Sequence, residues 1–207
     1  MASVKAGALE DRVLGAPRKA KRRIVAIVGA PASGKSTLSE QLVARLVAAG
    51  CAAQLVPMDG FHLHNPILIE RGLLSRKGAP ETFDATGLLR LVERLGHEDD
   101  ISYPVFERAR DISIAGAGYI GSDCDTVVIE GNYLLLDAPV WVQMKHHWDL
   151  SVMLDVPLPV LRDRLIQRWL DHGLSQPEAV ARAEQNDLRN ARLVAENSTE
   201  ADWQAGA

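Results

Sequence analysis

Eight consecutive residues, Gly29, Ala30, Pro31, Ala32, Ser33, Gly34, Lys35 and Ser36, fit the pattern G-x-x-x-x-G-K-[ST], with Thr37 following. A run of this kind offers backbone N–H groups on a tight turn, and its glycines admit positive φ and close backbone approach. Polyphosphates need such a dense set of donors. A helix opening at Lys35 would add the positive end of its dipole. Lys35 would then place a charge on the β- and γ-phosphates, and the Ser36 hydroxyl would ligate Mg²⁺. The expected ligands are therefore ATP and Mg²⁺.

Two acids follow the same logic. Asp59 lies in Met58-Asp59-Gly60-Phe61-His62. Phosphoryl transfer to a hydroxyl gains from a carboxylate that orients the acceptor and takes its proton; the plainer reading is a turn Asp beside Gly60. Glu130 closes the apolar run Thr126-Val127-Val128-Ile129-Glu130. An acid at the end of a buried strand is costly unless paired or close to a metal, so a role in a Mg²⁺ or water network is expected, against a structural cap on the next turn. Arg162, Arg164 and Arg168 share one predicted helix. A mobile arginine can stabilise the charge on a moving phosphoryl group, although spacing alone favours solvated surface for any one of them. His62 and His64 have the spacing of a metal pair, but no third ligand is evident, and pocket lining or an ordinary loop is expected.

These residues need elements to hold them. Residues 24–28 are a continuous apolar run, charged before and Gly after, which predicts a strand buried on both faces. Leu38, Leu42 and Leu46 recur at helical spacing over residues 35–49, with Gly50 as the stop. Residues 53–57, 126–130 and 149–156 read as further strands, and residues 201–204 as a last edge strand. Helices are predicted over 86–95, 160–171 and 177–194, the last opening on Pro177. Residues 60–83 carry turn signals, and 101–120 read as a hairpin-like excursion that could cover a site. Alternating strand and helix predicts an α/β fold with a mostly parallel, doubly wound sheet and ligands at the carboxyl ends of its strands. Residues 29–36, Asp59 and Glu130 all fall at such ends.

At 207 residues with 47% apolar and 24% charged side chains, one globular domain is expected. We assign it to residues 23–207, with insertions around 60–84 and 101–121 on the acceptor side. Residues 1–22 form an N-terminal arm, frayed or a short surface helix, and the basic run Arg18, Lys19, Lys21, Arg22 and Arg23 reads as a solvated lead-in to the first strand. A net charge of −4 gives no reason to expect nucleic acid as a partner. The two cysteines, Cys51 and Cys124, lack metal spacing and suit a reduced, cytoplasmic protein. Residues 1–20 lack a secretory h-region and no run is long enough to span a bilayer, so membrane insertion is not expected.

No NKxD or LSGGQ-like signature is present, which argues against GTPases and transporter ATPases. Over about residues 22–204 the chain resembles the uridine kinase, pantothenate kinase and phosphoribulokinase group. Besides residues 29–36, the resemblance rests on Met58-Asp59-Gly60-Phe61, on residues 76–84 (Arg-Lys-Gly-Ala-Pro-Glu-Thr-Phe-Asp), on residues 128–133 (Val-Ile-Glu-Gly-Asn-Tyr) and on Arg168-Trp169-Leu170. Residues 103–108 and 111–115 look most like the bacterial branch named for fructose transport system kinases, also called nucleoside/nucleotide kinase family proteins.

The resemblance implies a P-loop NTPase three-layer α/β/α sandwich. It implies Asp59 as the catalytic carboxylate, Arg168 as a lid arginine, and an acceptor pocket shaped by segments that carry Arg76, Lys77, Tyr103 and Arg108. Asn186 and Asn190 look like the asparagines that pantothenate kinases use near the acceptor. The chain departs from pantothenate kinases at residues 103–108 and from uridine kinases at Gly60-Phe61-His62. A sugar or related metabolite is therefore the expected small-molecule acceptor, with Asp59, His62, His64, Arg108 and Asn186 as hydrogen-bonding side chains. The rivals are a nucleoside or pantothenate kinase, and an ATP-binding regulatory module, linked to transport, with no acceptor-dependent turnover. An oligomer, most simply a dimer, is expected.

Overall fold

The apolar runs do become strands, and their order along the chain fixes where the loops meet. The computed structural model describes residues 6–206. The chain opens with α1 (Ala6–Gly15), β1 (Arg23–Gly29), α2 (Lys35–Ala48) and β2 (Ala53–Pro57). There follow α3 (Asn65–Glu70), α4 (Ala85–Leu95) and the antiparallel hairpin of β3 (Ile101–Glu107) and β4 (Ile112–Ile120). The remainder is β5 (Thr126–Gly131), β6 (Leu150–Asp155), α5 (Leu158–Asp171), α6 (Gln176–Arg182), α7 (Leu188–Asn197) and β7 (Trp203–Gly206).

Five strands pair in the order β2-β5-β1-β6-β7, all parallel. Every residue of β5 is buried, as a strand covered on both faces requires. Alternate residues of β1 serve opposite layers: Val25 and Ile27 pack with Leu42 and Leu46 of α2, and Ile24, Ala26 and Val28 join the core that holds α4. The fold is thus an α/β sandwich of three layers, with the hairpin as a separate two-stranded piece.

Four expectations need adjustment. Residues 6–15 are not a frayed arm: Leu9 and Val13 are buried in the same core as α2, so α1 is part of the packed domain. Arg22 is not solvated. It has no exposed surface, and its guanidinium donates to the carbonyls of Leu95, Glu98, Asp99 and Gly121, at 3.2, 2.6, 2.5 and 2.9 Å. Residues 177–194 do not form one regular helix, because a π-helical turn over Ala183–Asp187 separates α6 from α7. The last strand begins at Trp203, since Asp202 first turns its carboxylate to the Ser151 amide and hydroxyl. Among the described residues no helix is long and apolar enough to cross a membrane.

Candidate active site

The turn between β1 and α2 forms the phosphate cradle. Ala32 and Gly34 take positive φ, 63° and 95°, and the turn delivers the chain into α2 at Lys35. A Cβ at Gly29 would lie 2.6 Å from the Ser33 hydroxyl, which would have to turn away. Arg164 of α5 donates to the carbonyls of Ala32 and Ser33, at 3.3 and 3.4 Å. That arginine, read from sequence as surface, braces the loop.

Glu130 is 4% exposed, and its Oε2 lies 4.0 Å from the Lys35 ammonium yet accepts no hydrogen bond. Burial raises its carboxyl above the usual range, opposed by the charge of Lys35 and a hydrogen bond from Ser36. A buried, orphaned carboxylate oxygen beside a hydroxyl is a hard-oxygen donor set, so Ser36 and Glu130 fit a Mg²⁺ ion arriving with a polyphosphate.

Asp59 sits in the short 3₁₀ turn Met58–Phe61 that follows β2. The turn is clamped from both sides. A Cβ at Gly60 would meet the Pro104 carbonyl of β3 at 2.0 Å, and one at Gly131 would meet Met58 at 2.5 Å. The Asp59 carboxylate accepts from Arg108 at 2.9 Å. His62 places Nδ1 2.8 Å from the Asp59 carbonyl, which can only accept, so Nδ1 carries the proton. Its ring lies against those of Phe83 and Phe106, tilted to both, with centroids 4.1 and 4.7 Å away. Burial, outweighing the nearby Asp59 charge, lowers its pKa below 6.5 and keeps it neutral at physiological pH.

Across the cleft, Arg76 donates to the Oδ1 atoms of Asn186 and Asn190, at 2.6 and 3.1 Å, and Asn186 returns a bond to the Lys77 carbonyl at 2.9 Å. Asn186 in the π turn and Asn190, four residues on in α7, both face residue 76. The Lys77 ammonium binds Asn65 Oδ1, Asp111 Oδ1 and the Asp111 carbonyl at 2.7, 2.8 and 3.0 Å.

One cleft of about 800 Å³ joins the two ends. Of the residues singled out from sequence, it is lined by Pro31, Ala32, Gly34, Lys35, Ser36 and Thr37 of the loop, together with Asp59, His62, Lys77, Arg108, Arg168 and Asn190. Gly29, Ala30, Ser33 and Glu130 stand behind that lining. So do Arg76 and Asn186, each engaged with the other. Tyr103 is not brought to the cleft: its ring covers Gly118, and its hydroxyl donates to the Leu55 carbonyl at 3.3 Å.

Comparison with known proteins now decides the family. The crystal structure of a "putative fructose transport system kinase" from Silicibacter sp. TM1040 is 53% identical, covers 98% of this chain and 100% of its own, and superposes with a TM-score of 0.94. The chain belongs to the uridine kinase, pantothenate kinase and phosphoribulokinase group of P-loop kinases. It is a phosphotransferase with a hydroxyl acceptor. An uncharacterized Escherichia coli protein, YggC, is 34% identical over 88% of the chain and 76% of its own length. A "putative uridine kinase" of Schizosaccharomyces pombe is 29% identical over 94% and 87%. The kinase spans about half the length of the pantothenate kinases it matches. No protein-family model matches the chain.

Several lining residues of the kinase escaped the sequence reading. Trp169 donates to Asp187 at 2.6 Å, and both face the cleft beside Arg182. Asn132 also lines it, with its Oδ1 buried and unpaired. Its place two residues beyond Glu130, at the end of a buried strand, was the available signal.

Proposed function

We propose that this kinase transfers the γ-phosphoryl group of ATP to a hydroxyl of a sugar or related metabolite. The observation that carries the reading is Asp59 in the same cleft as Lys35 and Ser36. Lys35 neutralises and orients the β- and γ-phosphates while the loop amides hold the rest of the chain of phosphates. Asp59 orients the acceptor hydroxyl and takes its proton as the new O–P bond forms; the bond from phosphorus to the β-phosphate oxygen breaks, and ADP leaves. Arg168, from α5, meets the charge that spreads over the moving group. Bound between Ser36 and Glu130, Mg²⁺ would neutralise phosphate charge. Closure of α5 and α6 over the cleft would keep water from competing with the acceptor. Cys51 and Cys124 are free thiols, which suits the cytoplasm.

A sugar is supported by the relative from Silicibacter, whose printed name refers to fructose transport, and by neutral hydrogen-bonding groups around Asp59. A nucleoside acceptor is the second reading, favoured by similarity to the fission-yeast protein along most of both chains. A purely regulatory ATP-binding module would have no use for a carboxylate at Asp59. The test is ADP release with Mg-ATP against sugars, polyols, nucleosides and pantothenate. We expect stimulation by one class and a loss of about 10²- to 10⁴-fold in Asp59→Asn. Tight ATP binding with no acceptor-dependent turnover would favour the regulatory module instead.

A further inference from the structure

The cations on the acceptor side are already answered within the protein. All three N–H groups of Lys77 are taken, by Asn65 Oδ1 and by the side chain and carbonyl of Asp111. Arg76 is held by Asn186, Asn190 and Glu81. Arg108 spends its charge on Asp59. Arg168 and Arg182 also line the cleft and form no ion pair among the described residues, but both lie against the Trp169 ring near Asp187. On the wall of Arg76, Lys77 and Arg108, then, an anionic acceptor would have to break a pair to find a partner.

What remains unpaired on that wall is neutral. Asn132 has a buried Oδ1 without a donor, and among the described residues its Nδ2 makes no hydrogen bond. Leaving a buried amide oxygen unpaired costs free energy in the empty protein, which a ligand hydroxyl would recover. His62 has its proton on Nδ1, so Nε2 offers a lone pair. Asn132 is also near the reacting position. Pro57 of β2 pairs with Glu130 of β5, and Asp59 and Asn132 each follow two residues later. Their neighbours touch, since a Cβ at Gly131 would lie 2.5 Å from Met58, and Asp59 and Asn132 line the same cleft. A free amide both donates and accepts, which matches a hydroxyl and not a carboxylate or a phosphate.

We propose that Asn132 reads a second hydroxyl of the acceptor, next to the one against Asp59, and so restricts this kinase to neutral polyhydroxylated acceptors. The inference rests on the kinase reading above and names the substrate class within it.

The test pairs substrates with variants. D-fructose, D-glucose, D-ribose and ribitol are compared with their monodeoxy analogues, and with pantothenate, D-glycerate and D-ribose 5-phosphate, in wild type and Asn132→Leu. Asn132→Ala serves if the leucine variant fails to fold. Turnover is read as ADP release, and acceptor binding to the ADP-loaded protein by calorimetry. For the preferred acceptor, removing the neighbouring hydroxyl should cost wild type about 10- to 100-fold in kcat/KM. Asn132→Leu should raise the acceptor KM by a similar factor and lose the discrimination, with the KM for ATP and the Mg²⁺ midpoint unmoved. Equal discrimination in wild type and variant overturns the inference, as does a shift confined to ATP or Mg²⁺, failure of every polyol to bind, or preferred turnover of a carboxylate or phosphate acceptor. That last outcome leaves the kinase reading intact. Discriminating binding without ADP release would do the reverse, upholding the role of Asn132 and removing phosphoryl transfer.

Discussion

Glu130 stands where burial works against its charge, and the ligand-free protein carries that cost. Removing the charge should help the empty fold and harm the loaded one. We expect Glu130→Gln to raise the melting temperature without ligand by about 2–4 °C, and to abolish most of the rise that Mg-ATP gives wild type; scanning calorimetry with and without Mg-ATP checks both. His62 titrates in the opposite sense. Burial lowers its folded pKa, so as the pH falls the unfolded chain takes up a proton first. Stability attached to His62 is full above about pH 6.5 and is lost as the pH drops below that value. The fall in melting temperature between pH 7.5 and 5.5 should therefore be smaller in His62→Gln than in wild type. At this scale the sequence disclosed which side chains can do chemistry, because Lys35, Ser36, Asp59 and Glu130 lie beside strand ends. It did not disclose partners. Arg76 and Asn186 were both legible as polar candidates, but their bond spans 110 positions and makes them supports of the cleft instead of lining.

Elements whose cause is local were legible: the glycine-rich turn, the runs that became β1 and β5, and the 3.6-residue stripe of α2. Those that depend on a distant neighbour were not. The helical character of α1 was one of two readings, but burial of Leu9 and Val13 needs the stripe of α2 opposite them. Likewise the local sequence does not announce the π turn at Ala183–Asp187, and the two asparagines show their role only once Arg76 is seen to bind both. That clasp joins the 74–84 loop to the helices of the lid. Arg76→Ala would leave the Asn186 oxygen buried and unpaired, at a cost of about 1–3 kcal/mol. Urea denaturation should show the loss, and the acceptor KM should rise more than the KM for ATP, since the loop forms the acceptor wall.

For the molecule as a whole, the two cores on either face of the sheet divide stability from chemistry. Among the described residues, none of those in the core beneath α1 and α2 lines the cleft. Leu9→Ala should cost about 2–5 kcal/mol, measured by urea denaturation, while the kinetic constants of the surviving folded fraction stay at wild-type values. On the other side, the hairpin of β3 and β4 is not a member of the main sheet at all. It reaches the Asp59 turn through the close approach of Gly60 to Pro104, the Arg108–Asp59 pair, and the contact of the His62 and Phe106 rings. The base of the hairpin is rooted in the core through Ile101, Tyr103 and Ile120, so only its outer stretch can be exchanged as a cassette. Descendants of one ancestral chain could take up new acceptors by rewriting residues 106–114 and keeping that base and the nucleotide half untouched, and a laboratory library confined to the outer hairpin would sample the same route.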